Sequence, residues 1–381
     1  SMALAVERAW PDVRLDGLVI TRYAHGAHTE RIRVVEAGHP VPDSAGEAAT
    51  RDILRLVSQL QSGDLLLVLI SGGGSSLLGL PVPAISMADL KSVTGMLLAS
   101  GAPIGEMNVV RKHLSQIAGG RLAAAATDGG ARVIALIISD VTGDAPTDIA
   151  SGPCAADPST YADALDVLSR WNIEAPADVV AWLQRGANGQ VTETPKPNAP
   201  LFAGVENRVI ATAHRSLEAA AEVFRAVGIS AVLLGDTVTG EAREVAKAYA
   251  ALVREIRAYN KPFAPPVALI SGGECTVTLP SGTKGRGGRC TEFLLSLAVE
   301  LNGVAGVHAL ACDTDGIDGS EDNAGAWLAP NSVNRAAGNG VVARSALDAR
   351  DAYIFFEAAD GLIATGPTRT NVNDYRVILI R

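Results

Sequence analysis

The sequence predicts an α/β protein of two doubly wound, Rossmann-like three-layer lobes with mainly parallel sheets. Three observations carry that reading. Apolar runs of strand length alternate with helical patterns along all 381 residues, the order that builds parallel sheets covered by helices. Hydrophobic residues make up 48% and aromatics only 4%, a composition suited to such sheets under Ala-rich helices. Finally, Val68-Leu69-Ile70-Ser71-Gly72-Gly73 is echoed by Ala268-Leu269-Ile270-Ser271-Gly272-Gly273, so each lobe offers a strand that enters a glycine turn. Ligands of open parallel sheets sit beyond the carboxyl ends of the strands. Two such ends facing each other predict an active-site cleft between the lobes. The length exceeds one ordinary core, and the boundary is expected at 205/206, giving lobes 1–205 and 206–381.

In order, Ser1 to Trp10 reads as the second half of a helix, with Met2, Ala5, Val6 and Ala9 near helical spacing. Strands follow at Leu15 to Arg22 and Arg31 to Glu36, then an amphipathic helix at Ser44 to Leu60. Leu65 to Ile70 is a continuous apolar strand. Helices are expected at Met87 to Ala99 and at Met107 to Ala126, with a buried strand at Val133 to Ser139. Tyr161 to Trp171 and Pro176 to Arg185 read as helices. Asn188 to Pro200, with three prolines, reads as an exposed connection. The second cycle runs strand, helix, strand at Val209 to Thr212, His214 to Val227 and Ser230 to Leu234. A long helix at Glu241 to Tyr259 precedes strands at Pro266 to Ile270 and Thr276 to Leu279. After a glycine-rich loop come a helix at Cys290 to Leu301 and a strand at Val307 to Ala311. Gly361 to Thr365 and Arg376 to Ile380 are the last strands.

A net charge of −9 argues against a nucleic-acid surface, whose affinity rests on neutralising phosphates. No apolar run approaches the ~20 residues that cross a membrane, and no signal peptide is visible, so a cytoplasmic protein is expected. Cys154, Cys275, Cys290 and Cys312 lack metal-ligand spacing and read as buried thiols in a reducing compartment.

Six segments carry candidate chemistry. Ser71, Gly72, Gly73, Gly74, Ser75 and Ser76 follow a strand; glycines there expose consecutive N–H groups, and phosphate is the expected guest. The P-loop and dinucleotide patterns are both absent. Asp140, Asp144 and Asp148 lie in a strand-end loop, where carboxylates serve equally as Mg²⁺ ligands or as turn caps. Lys284, Arg286 and Arg289 form a basic cluster in the loop Gly282 to Arg289, suited to a carboxylate or polyphosphate. Arg289 stands where a helix N-terminus should point. Gly272, Gly273 and Glu274 form the second turn, with Glu274 left open between capping and ribose or metal binding. Asp313, Asp315 and Asp318 open an acidic loop that fails the EF-hand pattern and suits metal, ribose or a substrate hydroxyl; a solvated charge run is the alternative. Asn108, Arg111 and Lys112 begin a basic helix, read either as a solvated face or as an anion site.

Together these segments resemble the MOFRL family of glycerate kinases, whose members are also called hydroxypyruvate reductases. The matching stretches are GHPVPD at Gly38 to Asp43, ISGGGSSLL at Ile70 to Leu78, NVVRKHLSQIAGGRLA at Asn108 to Ala123 and SDVTGDAPTDIASGP at Ser139 to Pro153. They continue with SGGECTVTL at Ser271 to Leu279, GRGGRCTEF at Gly285 to Phe293, DTDGIDGSEDNAGA at Asp313 to Ala326 and TGPTRTNVND at Thr365 to Asp374. The MOFRL region would occupy about 265–375 of the second lobe. The resemblance implies a site between two lobes, ATP with Mg²⁺, and glycerate phosphorylated at the 2-hydroxyl. It implies Arg289 as a catalytic residue opposite a lysine, with Asp140 orienting the acceptor. Ser71 to Ser76 and Gly272 to Glu274 would take the nucleotide, Asn108, Arg111, Lys112, Lys284 and Arg286 the substrate, and Asp144, Asp313, Asp315 and Asp318 the metal. The family's first strand and its GxGKA-like turn, which carries the lysine, are absent here; one βα unit and a leading helix would add roughly 50–70 residues upstream. An NAD(P)-dependent reductase and a non-catalytic sugar-acid sensor are the alternatives. A homodimer is compatible with the family.

Overall fold

The structure is a computed structural model that describes residues 1–141, 143–280, 282 and 284–381; Thr142 of the strand-end loop that carries Asp140, Ser281 before the glycine-rich loop and Thr283 within it lie outside the described residues. Two compact units divide the chain, Ser1–Ile210 and Ala211–Arg381.

The first unit opens with α1 (Met2–Ala9), β1 (Gly17–Arg22), β2 (Ile32–Ala37) and α2 (Ser44–Val57). β3 (Leu65–Ile70) runs into a one-turn helix, α3 (Gly74–Leu77). Then come α4 (Met87–Ser100), α5 (Ile104–Leu114), α6 (Arg121–Asp128) and β4 (Arg132–Ile138). α7 (Tyr161–Arg170), α8 (Ala177–Ala187) and β5 (Val205–Ala211) complete it. β1 and β2 pair in parallel as a sheet of their own. The second sheet has the order β3-β4-β5, with β3 and β4 parallel. β5 starts earlier than its apolar residues suggest and carries the first unit past the expected 205/206 boundary. Val57, Ile70, Leu122, Ala126, Val133 and Ala135 form the core beside the three-stranded sheet. α4, α5, α7 and α8 bury a separate cluster that includes Leu97, Leu114, Tyr161 and Leu183.

The helix expected at Met107 to Ala126 is two helices. Ser115 ends α5 in an extended conformation, and its Oγ accepts from the N–H groups of Ile117 and Ala118. Gly119 and Gly120 follow at φ 61° and 82°, a region that favours glycine and breaks a right-handed helix.

The second unit comprises α9 (Ala213–Ala226), β6 (Ser230–Gly235), β7 (Gly240–Glu241), α10 (Ala242–Tyr259), β8 (Val267–Ser271) and β9 (Cys275–Thr276). α11 (Arg289–Leu301), β10 (Val307–Asp313) and β11 (Gly325–Leu328) follow. α12 (Ser332–Gly338), α13 (Ala343–Asp348), α14 (Ala352–Ala358), β12 (Leu362–Ile363) and β13 (Asp374–Ile380) end the chain. The main sheet has the order β12-β11-β10-β13-β8-β6. Helices cover both faces: Val267 and Leu269 join the core of α10 and α11, while Ala268 and Ile270 pack with Leu217 and Ala221 of α9. That is the period-two alternation of a central strand and gives the three layers expected. One respect differs. β6 and β8 are parallel, but β13 lies antiparallel to both β8 and β10, and β11 to β10 and β12. The loop from β10 to β11 is too short to hold a crossover helix, so those strands return antiparallel.

Candidate active site

In the first unit β3 delivers Ser71 and Gly72 into a turn whose next residue, Gly73, has φ 80° and caps α3. A Cβ on Gly73 would lie 2.8 Å from the His39 ring, and one on Gly74 2.5 Å from Cβ of Ala150. The glycines therefore admit two neighbouring segments as well as exposing the backbone. Ser76 Oγ donates to the Gly73 carbonyl at 3.0 Å, and Ser75 Oγ lies 2.9 Å from Ser151 Oγ. Because α3 is one turn long, little macrodipole supports the turn.

The loop after β4 is held tightly. Gly143, Asp144, Ala150, Ser151 and Gly152 all have φ between 52° and 87°. Ser151 Oγ donates to Asn108 Oδ1 at 3.0 Å, and Asn108 Nδ2 donates to the Asp148 carbonyl at 3.0 Å. Lys112 Nζ donates to Thr147 Oγ1 at 2.9 Å and to Asp157 Oδ1 at 3.3 Å. Asn108 and Lys112, expected on the substrate, are 0% and 2% exposed; their polar groups are spent on bracing this loop, since a buried ammonium requires a partner. Asn188 to Pro200, expected to be exposed, takes part: Thr194 is buried and donates to Asp157 Oδ2 at 3.0 Å.

Arg111 is different. It is half-buried one turn beyond Asn108, on the same side of α5. No hydrogen bond or ion pair holds its guanidinium among the described residues. Burial pushes its pKa below the usual arginine value, as desolvation does to a cation lacking an anion. Asp144, in the loop after β4, likewise has no side-chain donor among the described residues, whereas Asp140 is engaged.

In the second unit Arg289 is the first residue of α11, but its charge is met by the protein. Nε donates to Asp374 Oδ1 at 2.7 Å, Nη2 to Asp313 Oδ2 at 2.8 Å and Nη1 to Glu274 Oε1 at 3.0 Å. Burial works against the guanidinium, yet Asp374, Asp313 and Glu274 outweigh it and raise its pKa. Burial also drives Asp313 up to about 7 against the pull of Arg289.

The metal expected on Asp313, Asp315 and Asp318 finds these carboxylates occupied. Asp315 Oδ1 accepts from the Ile317 N–H at 2.8 Å. Asp318, wholly buried, caps α11: Oδ1 accepts from the Cys290 N–H at 2.9 Å, and Oδ2 from the N–H and Oγ1 of Thr291, each at 2.8 Å. The helix N-terminus expected to face a ligand anion thus faces Asp318. Among the described residues no group of three His, Cys, Asp or Glu side chains stands close enough to hold a metal ion.

The glycine-rich loop is pinned at Gly285 and Gly288. A Cβ on Gly285 would lie 2.2 Å from the Arg350 carbonyl, and one on Gly288 2.3 Å from Asp318 Oδ1. Arg286 stacks on Tyr353 at 4.6 Å, near Glu321 and Glu357 at 3.9 Å, contacts that hold the loop to α14. Lys284 is exposed. Gly272 and Gly273 again serve close approach: a Cβ on Gly273 would lie 2.3 Å from the Val238 carbonyl.

Sequence reasoning missed Asp374 and Arg376. Arg376 is 1% exposed in the apolar strand β13, and an arginine in a run such as DYRVILI is itself a signal, because a buried guanidinium must be paired.

Two family models match the chain, a domain of unknown function, DUF4147, over residues 1–184 and the MOFRL family over residues 267–374. A protein of Agrobacterium vitis, whose name offers hydroxypyruvate reductase only as a conjecture, is 50% identical over 100% of this chain and 84% of its own length. A glycerate 2-kinase of Pyrococcus horikoshii is 38% identical over 96% of this chain and 82% of its own. The crystal structure of a Thermotoga maritima glycerate kinase superposes with a TM-score of 0.88 at 37% identity, covering 100% of this chain and 88% of that one. With likeness of that degree along its whole length, the chain belongs to the MOFRL family of glycerate kinases.

Proposed function

We propose that this chain transfers the γ-phosphoryl group of ATP to glycerate, with the 2-hydroxyl as acceptor. The likeness to glycerate 2-kinases along nearly the whole chain supports the reaction, and Arg111 is the observation in the site that favours it. A half-buried guanidinium without a protein anion among the described residues suits an anionic ligand such as a carboxylate or phosphate.

In this reading the acceptor oxygen bonds to phosphorus as the bond to the ADP oxygen breaks, and the hydroxyl proton leaves. Asp140 orients the hydroxyl. The turn at Ser71 to Ser76 receives phosphates on its N–H groups, and Arg289 meets charge that develops on the moving group. Magnesium fits the donor set: it needs only one or two protein oxygens when phosphates supply the rest, and Asp144 has no side-chain donor among the described residues. Bound there, it would neutralise phosphate charge.

Reductase names among similar proteins are the one observation for a second reading. Against it, the turn after β3 leads into the single-turn helix Gly74–Leu77 and lacks the dinucleotide fingerprint. The test offers the protein D-glycerate with ATP and Mg²⁺, and separately hydroxypyruvate with NADH. Glycerate-dependent ADP release, with a product that enolase consumes directly, is the expected result. NADH oxidation without ADP release would replace the kinase reading, and a product that enolase rejects would move the acceptor to another hydroxyl.

A further inference from the structure

We propose that Asp374 is a positioning residue for Arg289, and that the buried Arg376 holds Asp374 to that task. The inference rests on the reading of Arg289 as the residue that meets the transferring group. Asp374 has a fully buried side chain, and its Oδ1 accepts from Arg289 Nε at 2.7 Å. Its Oδ2 accepts from Arg376 Nη2. Arg376 lies over the Phe293 ring at 5.4 Å, and its Nη1 donates to the Gly272 carbonyl at 2.8 Å. The Asp374 N–H donates to the Gly273 carbonyl at 3.1 Å. The same two residues therefore grip the turn before Glu274 and the arginine that follows the glycine loop.

A guanidinium has one Nε–H edge and two terminal nitrogens in a rigid plane. A buried carboxylate on Nε fixes that plane and leaves both terminal nitrogens available. In this structure they rest on Asp313 and on Glu274, whose side chain is 53% exposed, so the Glu274 contact is open to competition from a ligand. An Asp374 that merely neutralised Arg376 would need no bond to Arg289.

Asp374→Asn keeps the size and one acceptor but removes the charge. Turnover should fall about 10- to 100-fold, with KM for ATP within about twofold, the scale for misplacing a reacting group by an ångström. In an Arg289→Lys background the same change should cost at most about twofold more, because two residues acting as a unit are not additive. An equal fall in both backgrounds would overturn the proposal. Nitrogen NMR of arginine labelled at Nε, with the Arg289 signal assigned by its loss in Arg289→Lys, reads the anchor without any assay. The wild-type Arg289 Nε–H should be protected from exchange with water, and Asp374→Asn should remove that protection. A wild-type signal that exchanges like that of an exposed arginine overturns the proposal even where Asp374→Asn fails to fold. Absence of glycerate turnover in the wild type, with the Nε–H protected, would instead remove the kinase reading and leave the anchor standing.

Discussion

Arg111 and Arg289 are both partly withdrawn from water, but among the described residues only Arg289 of the two pairs with carboxylates. For Arg111→Met the structure predicts no loss of stability, since no ion pair is broken and a desolvated charge is removed. The KM for the ligand anion should rise about tenfold or more, the worth of one charge-assisted hydrogen bond. Initial-rate kinetics beside a melting curve check both halves, and an unchanged KM would return Arg111 to a structural part. Asp313 makes a prediction about pH. Its pKa rises from 3.8 to about 7 on folding, chiefly by burial. The folded protein therefore holds a proton that the unfolded chain releases between those values. The stability this contributes is full below about pH 4 and is lost as pH rises through about 7. Melting temperatures measured from pH 4 to 8 should show that decline, and Asp313→Asn should flatten it. A variant curve parallel to the wild type would mean that Asp313 is ionised throughout.

Within the elements, α11 shows how a residue read as a metal ligand turns out to be part of the scaffold. Asp318 is far from the helix in sequence, yet it satisfies two N–H groups and a hydroxyl of the first turn. Asp318→Ala should lower stability by about 1–3 kcal/mol, the cost of a lost cap with buried donors left unpaired. The loss should be the same with Mg²⁺ or with EDTA. A destabilisation seen only when Mg²⁺ is present would restore the metal reading. The site's other surprises have a similar origin. Gly285 and Gly288 look like a flexible phosphate loop, but their lack of side chains admits the Arg350 carbonyl and Asp318. Composition records a glycine without recording what approaches it. Long periodic elements such as β3 and α10 were legible almost to the residue, while α2 stops at Val57, three residues short of the expected Leu60. The stretch 324–360 was not: α12, α13 and α14 have 7, 6 and 7 residues, too few for a helical period to stand out.

At the scale of the molecule, each unit keeps its cores to itself. Every residue of the core around Phe293, Phe355 and Ile378, and of the one around Leu217, belongs to the second unit. A fragment of residues 211–381 should therefore unfold in one cooperative thermal transition, as a domain with its own core does. A fragment that melts without a transition would show that this core depends on the rest of the chain.

By itself the sequence determined the alternation of strands and helices, the two strand-to-glycine turns, the family, and the exclusion of a long apolar span; no described helix can cross a membrane. These are local properties, carried by neighbouring residues through period, turn chemistry and motif. Tertiary structure alone decided which charges are already spent. Asp374 reaches Arg289 across 85 positions, Asp157 reaches Lys112 across 45, and Asp318 reaches Cys290 across 28. A carboxylate is a metal ligand, a cap or a counter-ion according to the donor that folding brings to it, and that donor lies elsewhere in the chain. The order of the second unit's main sheet was likewise decided in three dimensions, where the last strand, β13, pairs between β8 and β10 because its inward residues, among them Ile378 and Ile380, bury themselves in the core beneath both.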